Sequence, residues 1–259
     1  MRYFCLTHRP VEWPLPDYME LVSTVPVGEG VLDLSERFPD LRGRGPELSE
    51  YATLFALRRL LQESWGPDGP APDERMVGIA HYRRFAVTRE TGRREFVYGL
   101  TSPAEFARLP QDLFVPPPGH LLLPLPARFA MPVVTQYGQS HVVRDLLHFM
   151  GLAVDLGVVE DQAVSAFLGQ QVLIAAPTVG VYPAEWLVHV LESLEQVASA
   201  FTTQFAVERA DYQRRAVGFC LERLHALLLA QLATAWTPER VVINPALVIS
   251  EDGQYREGG

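Results

Sequence analysis

The chain has 259 residues, 48% of them hydrophobic and 20% charged, which suffices for a buried core and excludes collagen-like, coiled-coil and low-complexity classes. Against 31 acidic residues stand 22 basic ones, a formal charge of -9, so general attraction to nucleic acid or anionic lipid is not expected and any anion site is local. All the basic residues are arginine, which rules out Schiff-base, phosphate-loop and kinase-type lysine chemistry and leaves guanidinium or backbone N–H groups to hold phosphate.

Arg2 to Thr7 reads as a buried first strand that opens into a loop at His8-Arg9-Pro10, and Met19 to Val22 as a second. Tyr51, Leu54, Phe55, Leu57 and Leu61 recur at helical spacing and predict a helix over Ser49 to Glu63. Met76 to Ala80 has the look of a central strand and runs into His81-Tyr82-Arg83-Arg84. Phe85 to Thr88 and Glu95 to Tyr98 read as hairpin arms around Gly92, and Ser102-Pro103-Ala104-Glu105 as a capped helix start. His120 to Pro124 predicts a further strand, and Val143, Leu146, Leu147 and Met150 an apolar helical stripe. Gln171 to Ala176 is strand-like; two long helices, Ala184 to Phe205 and Tyr212 to Ala235, precede a last strand at Val241 to Ile243. This alternation favours an α/β sandwich with a mostly parallel sheet, in one domain over residues 1–259 with a mobile tail from about residue 250.

Cys5 and Cys220 lie in apolar surroundings and read as buried thiols. No apolar stretch has the form of a signal peptide, and Leu224 to Trp236 is interrupted by His225 and Gln231, so a cytoplasmic location is expected, with peripheral membrane contact left open.

The sequence contains no GxGxxG, no GxxxxGK[ST], no HExxH and no Asp-x-Asp. Gly138-Gln139-Ser140-His141-Val142 lacks the second glycine of a nucleophile elbow, and Ser140 reads as a helix cap. His141, Asp145 and His148 share a helical face, either as a two-histidine, one-carboxylate ligand set or as a plain polar surface. His81-Tyr82-Arg83-Arg84 stands at a strand end, where open α/β sheets bind ligands, and two adjacent guanidiniums there suit a diphosphate; a surface pair bonded to acidic neighbours is the alternative. In the helix after Tyr212, Glu222 lies one turn beyond Gly218, whose missing side chain admits substrate or another backbone, while Glu222 and Arg223 also fit a plain surface pair.

Together with other segments in the same order, these resemble a family of bacterial glycosyltransferase-like proteins from capsule and exopolysaccharide clusters that carry a HYRR motif. Thr7-His8-Arg9-Pro10 is similar to its "THKP" element, Ser49-Glu50 to "SELT", and Val77 to Phe85 to "xGLxHYRRY". Gln136-Tyr137 with His141 to Asp145 resembles "QYxxxH…DL", and Gly218 to Leu224 resembles "GFLxERL". The chain departs from the family at Leu54 to Arg59, where the pattern is "YWAWKN", and at Gln171 to Leu173, where it is "NMF".

The resemblance implies a GT-A-like, Rossmann-type α/β/α fold and a hexosyltransferase-like enzyme that moves a sugar from a nucleotide-sugar donor to a glycan or lipid-linked acceptor. A non-catalytic nucleotide-sugar-binding or partner protein of polysaccharide assembly is the alternative. With no Asp-x-Asp, no divalent metal or other cofactor is expected, and arginines take the metal's place on the diphosphate. The expected catalytic residues are Glu222 first, with Asp145 and then Glu50 behind it; the expected donor-binding residues are His8, Glu50, His81, Tyr82, Arg83, Arg84, Tyr137, His141, Arg215, Gly218 and Arg223.

Overall fold

The computed structural model describes residues 1–66, 69–71, 75–205 and 211–251. Strands β1 (Arg2–Leu6), β2 (Met19–Ser23) and β3 (Val31–Asp33) come first, followed by helices α1 (Gly45–Leu48) and α2 (Tyr51–Ser64). Strand β4 (Met76–His81) turns back into β5 (Arg84–Phe85), and β6 (Arg93–Glu95), β7 (Tyr98–Thr101) and the short helix α3 (Pro103–Phe106) follow. Next come β8 (Leu121–Pro124), β9 (Ala127–Arg128) and helices α4 (Val133–Gly138), α5 (Val143–Asp155) and α6 (Asp161–Gly169). Strands β10 (Val172–Leu173) and β11 (Gly180–Pro183), helices α7 (Ala184–Gln204) and α8 (Ala216–Ala235), and strands β12 (Val241–Asn244) and β13 (Ala246–Ile249) follow in turn.

The central sheet is mostly parallel. Strands β3, β2, β1 and β4 are parallel neighbours, β11 enters antiparallel between β4 and β8, and β12 pairs parallel with β8. From the carboxyl end of β4 a mixed wing of β5, β13, β7 and β6 continues the same sheet.

Side-chain alternation divides the core between the two faces. Phe4 and Leu6 of β1, with Val77 and Ile79 of β4, join the large cluster built with α2, α5, α7 and α8. Tyr3, Cys5 and Ala80 point the other way, into a smaller cluster closed by Trp13 from a loop, Phe85 of β5, Phe106 of α3 and Phe114 from the turn after it. Helix α3 starts as its sequence predicts: the Ser102 hydroxyl accepts from the Glu105 N–H, and the Glu105 carboxylate accepts from the Ser102 N–H. Helix α2 is fixed to α7 by Arg58, whose side chain is 11% exposed and lies 2.8 Å from Glu195. The helical span Tyr212–Ala235 is the one among the described residues long and apolar enough to cross a membrane, and 61% of its apolar window is buried in the fold, where it serves as core.

Several expectations are corrected. The hairpin forms between β6 and β7, with Arg93 opposite Leu100, while Phe85 pairs with Leu247 of β13. Within Gln171 to Ala176 only Val172–Leu173 pairs, with β9. The interior strand of that region is β11, which the sequence reading passed over, as it did β13. Leu147, expected in the apolar stripe of α5, is 47% exposed, because the buried face runs through Leu146, Phe149 and Met150. Both cysteines are free and buried, as expected. Of the tail expected to be mobile, residues 252–259 lie outside the described residues.

Gly78, in the middle of β4, lies under the Tyr3 ring, and a Cβ there would come within 2.2 Å of that ring. Tyr3 is 2% exposed and walled in, so Gly78→Ala is expected to destabilise the fold by about 2 kcal/mol or more, read as a lower urea midpoint at unchanged slope.

Candidate functional site

The carboxyl ends of β1, β2 and β4 meet the α1–α2 junction and the first turns of α8 around a cavity of about 640 Å³. His8, Glu50, His81, Tyr82, Arg83, Arg84, His141, Arg215, Glu222 and Arg223, all singled out in the sequence, line it.

One wall is the tight return from β4 to β5, across which His81 pairs with Arg84. Three outside contacts pin its backbone: the Tyr82 N–H donates to the Leu6 carbonyl, the Trp13 indole N–H to the Tyr82 carbonyl, and the Ile249 N–H to the Arg83 carbonyl, each at 2.9 Å. The Tyr82 ring stacks on Trp13 and meets His8 edge-on, with the Arg9 and Arg83 guanidiniums 5.1 and 5.7 Å from its centre. A turn held this firmly presents Arg83 and Arg84 to the cavity on a rigid base.

A second wall starts at the N-terminus of α2, where Glu50 is the cap residue. Its Oε1 accepts from the Thr178 hydroxyl at 3.1 Å and lies 3.7 Å from His81 Nε2. Burial works against its charge, but His81 first, then its own N–H, Arg84 and Thr178 hold the carboxyl below its ordinary value. The helix dipole acts in the same direction. Burial above all, with the surrounding arginines, pushes His81 down to about 4, so near neutral pH it is uncharged and Arg84 is the cation that serves Glu50.

The third wall is α8. A Cβ on Gly218 would sit 2.6 Å from the Ser49 hydroxyl, so the helix lies directly on the α1–α2 junction. One turn on, Glu222 Oε2 accepts from Arg223 Nη1 at 3.2 Å, and Arg223 Nη2 reaches Gln136 Oε1 at 3.4 Å. Burial first, and then the charge of Glu50, raise the Glu222 carboxyl to about 7 against the pull of Arg223, Arg84 and Arg215. Behind it, the Tyr51 hydroxyl lies 3.2 Å from Nδ1 of His225, which burial keeps neutral, tying α2 to α8. The last wall is aromatic: His141 stacks 4.0 Å from Phe219, and Tyr212 lies against both rings.

Three expected site residues lie outside the cavity lining. Asp145, 5% exposed, is buried in the first turn of α5, so it is withdrawn as a catalytic residue. Tyr137 is fully buried, its hydroxyl 3.3 Å from Cys220 Sγ and its ring 5.5 Å beneath Arg223; it supports that arginine from behind and has no open path to a donor. Gly218 admits the chain at Ser49, which fills the space a substrate would need. The ligand set His141, Asp145 and His148 does not assemble either: His141 stacks on Phe219 and His148 on Phe205, and among the described residues no three His, Cys, Asp or Glu gather closely enough to hold an ion.

The sequence reading assigned no role to Ser49, Gln136 or Phe219, although all three fell within the segments carrying the resemblance. It missed Thr178 altogether, because nothing in Pro177-Thr178-Val179 announces a partner 128 residues away.

If the charge of Glu50 adds to burial in lifting Glu222, removing that charge must lower it part of the way. Glu50→Gln is therefore expected to move the Glu222 titration from about 7 toward the ordinary 4.5, seen in the carboxyl carbon shift of labelled glutamate. An unmoved midpoint would exclude the coupling.

No family model matches the sequence, and no curated protein does. Among solved structures, the apo structure of WbbM, a bifunctional glycosyltransferase, superposes with a TM-score of 0.71 at 14% identity, over 96% of this chain and 45% of that one. The chain thus spans under half the length of WbbM, and what the two share is the fold: a GT-A-like α/β architecture with a mostly parallel central sheet flanked by helices.

Proposed function

We propose that the protein is a glycosyltransferase that takes a sugar from a nucleotide-sugar donor and passes it to a glycan or lipid-linked acceptor in polysaccharide assembly. One observation carries the reading: among the described residues four arginines, Arg83, Arg84, Arg215 and Arg223, share a cavity with two carboxylates, Glu50 and Glu222, at the carboxyl ends of parallel strands. A protein of charge -9 has concentrated cationic groups in that place, which suits a diphosphate. The fold shared with WbbM supports the same reading.

In the proposed reaction the acceptor hydroxyl bonds to the anomeric carbon while the bond from that carbon to the diphosphate oxygen breaks and its electron pair leaves with the nucleotide. Arginines facing that oxygen stabilise the charge as it forms. Glu222 takes the acceptor's proton, a task suited to a carboxyl near 7; among the described residues the other acid lining the cavity is Glu50, which is held ionised and tied to Thr178. His8 and the hydroxyls of Thr7, Ser23 and Thr24 line the β1 and β2 side, where the nucleoside would lie.

The donor set does not fit a resident divalent ion, since the sequence lacks Asp-x-Asp and the cavity acids among the described residues are the separately engaged Glu50 and Glu222. No step is assigned to a metal.

Calorimetry with uridine, guanosine, adenosine and thymidine diphosphates should find one that binds in the presence of chelator, with Arg83→Ala weakening it by about tenfold or more. Glu222→Gln should keep that affinity yet lower transfer by about 100-fold or more, and the wild-type rate should rise with pH through about 7 as Glu222 ionises. Full transfer by Glu222→Gln would remove it as the base. Binding with no turnover of any donor would leave a binding protein in place of an enzyme.

A further inference from the structure

Two residues other than glycine, Ser49 at φ 55 and Phe96 at φ 54, hold left-handed backbone among the described residues. A residue with a Cβ stays there only when its surroundings impose it, and such positions concentrate at working sites. Ser49 joins α1 to α2 on the cavity wall, with ψ at -141, immediately before Glu50. The junction is seated on α8: Gly218 offers no Cβ, so the Ser49 hydroxyl and the Leu48 carbonyl carbon approach to distances of 2.6 and 3.3 Å from where one would be.

From that seat the Ser49 hydroxyl accepts from Arg215 Nε at 3.3 Å, while the Phe219 ring lies 5.7 Å from the same guanidinium. Arg215 makes no ion pair among the described residues, whereas Arg223 is engaged by Glu222 and Gln136. Its charge is nevertheless felt by Glu222 and His8, which places it in the field of the cavity. Engaging Nε leaves both terminal nitrogens of the fork for a planar pair of oxygens.

We propose that Ser49 is a positioning residue that presets Arg215 as a phosphate-holding arm reaching in from the helical wall, separate from the Arg83–Arg84 turn on the sheet side. The inference rests on the nucleotide-donor reading and adds to it a residue that acts through Arg215 without touching the donor. The left-handed backbone is the setting from which this hydroxyl reaches Arg215 Nε.

The test uses the full chain, with inorganic pyrophosphate and the four nucleoside diphosphates as calorimetric probes and thermal unfolding alongside. Ser49→Gly suits the backbone angle, so it should melt at or above the wild-type temperature and still lose about tenfold in pyrophosphate affinity. Arg215→Gln should lose a similar factor, and the double variant no more than either alone, since both remove one arm. Ser49→Gly binding within about twofold of wild type, or losses that multiply in the double variant, would overturn the proposal. A Ser49→Gly variant that melts lower and loses binding in step would also overturn it, marking the serine as structural. Wild-type protein that binds none of the probes would instead sink the nucleotide-donor reading itself.

Discussion

Two carboxylates in one desolvated cavity repel each other, and much of the site is organised around that conflict. Glu50 receives the stabilising elements: the N-terminus of α2, its own amide, the Thr178 hydroxyl and the nearby Arg84. Glu222 has Arg223 beside it but also the field of Glu50, and burial tips the balance toward the proton. Environments that separate two like groups in this way suit them to different tasks, in the proposed reaction a fixed charge and an exchanger of protons. Both assignments require α2 and α8 to keep their spacing, which the Gly218–Ser49 approach and the Tyr51–His225 contact enforce from two positions along the helices.

The sheet was legible where its strands are buried on both faces. Arg2–Leu6 and Met76–His81 are short apolar runs, and the period-two division of their side chains between two cores follows from the pleat. The interior strand β11 was not, because Pro177, Gly180 and Pro183 punctuate it and read as loop. Its place between β4 and β8 makes it antiparallel, and an edge-free position tolerates such a sequence only because pairing on both sides supplies what local propensity withholds. Strand β13 was lost for a simpler reason: Ala246 to Ile249 follows Pro245 and precedes a polar tail, so its apolar run was absorbed into the terminus.

For the site, the legible part was the part carried by chain continuity. His81 to Arg84 stand at a strand end, and strand ends of open sheets are where ligands gather. Helical spacing also placed Gly218 and Glu222 on one face. What spacing leaves undecided is which surface that face meets. Gly218 proved to accommodate the Ser49 junction, and Asp145 and Tyr137 proved to be buried supports, because the outcome depends on how α5, α4 and α8 pack. Contacts such as Thr178 with Glu50 join segments far apart in the chain and have no local signature.

The guanidiniums around the cavity do not lose their protons in any ordinary buffer, and the cavity histidines His81 and His141 gain theirs only near 4. Between those limits the arginine charge is constant while that of Glu222 is not: above about 7 its carboxylate opposes an anion in the same cavity, and below 7 that opposition fades. In the proposed reaction, acidity in the surroundings would therefore slow proton removal while the arginines keep their hold on the diphosphate, leaving a loaded protein that resumes work as soon as neutrality returns.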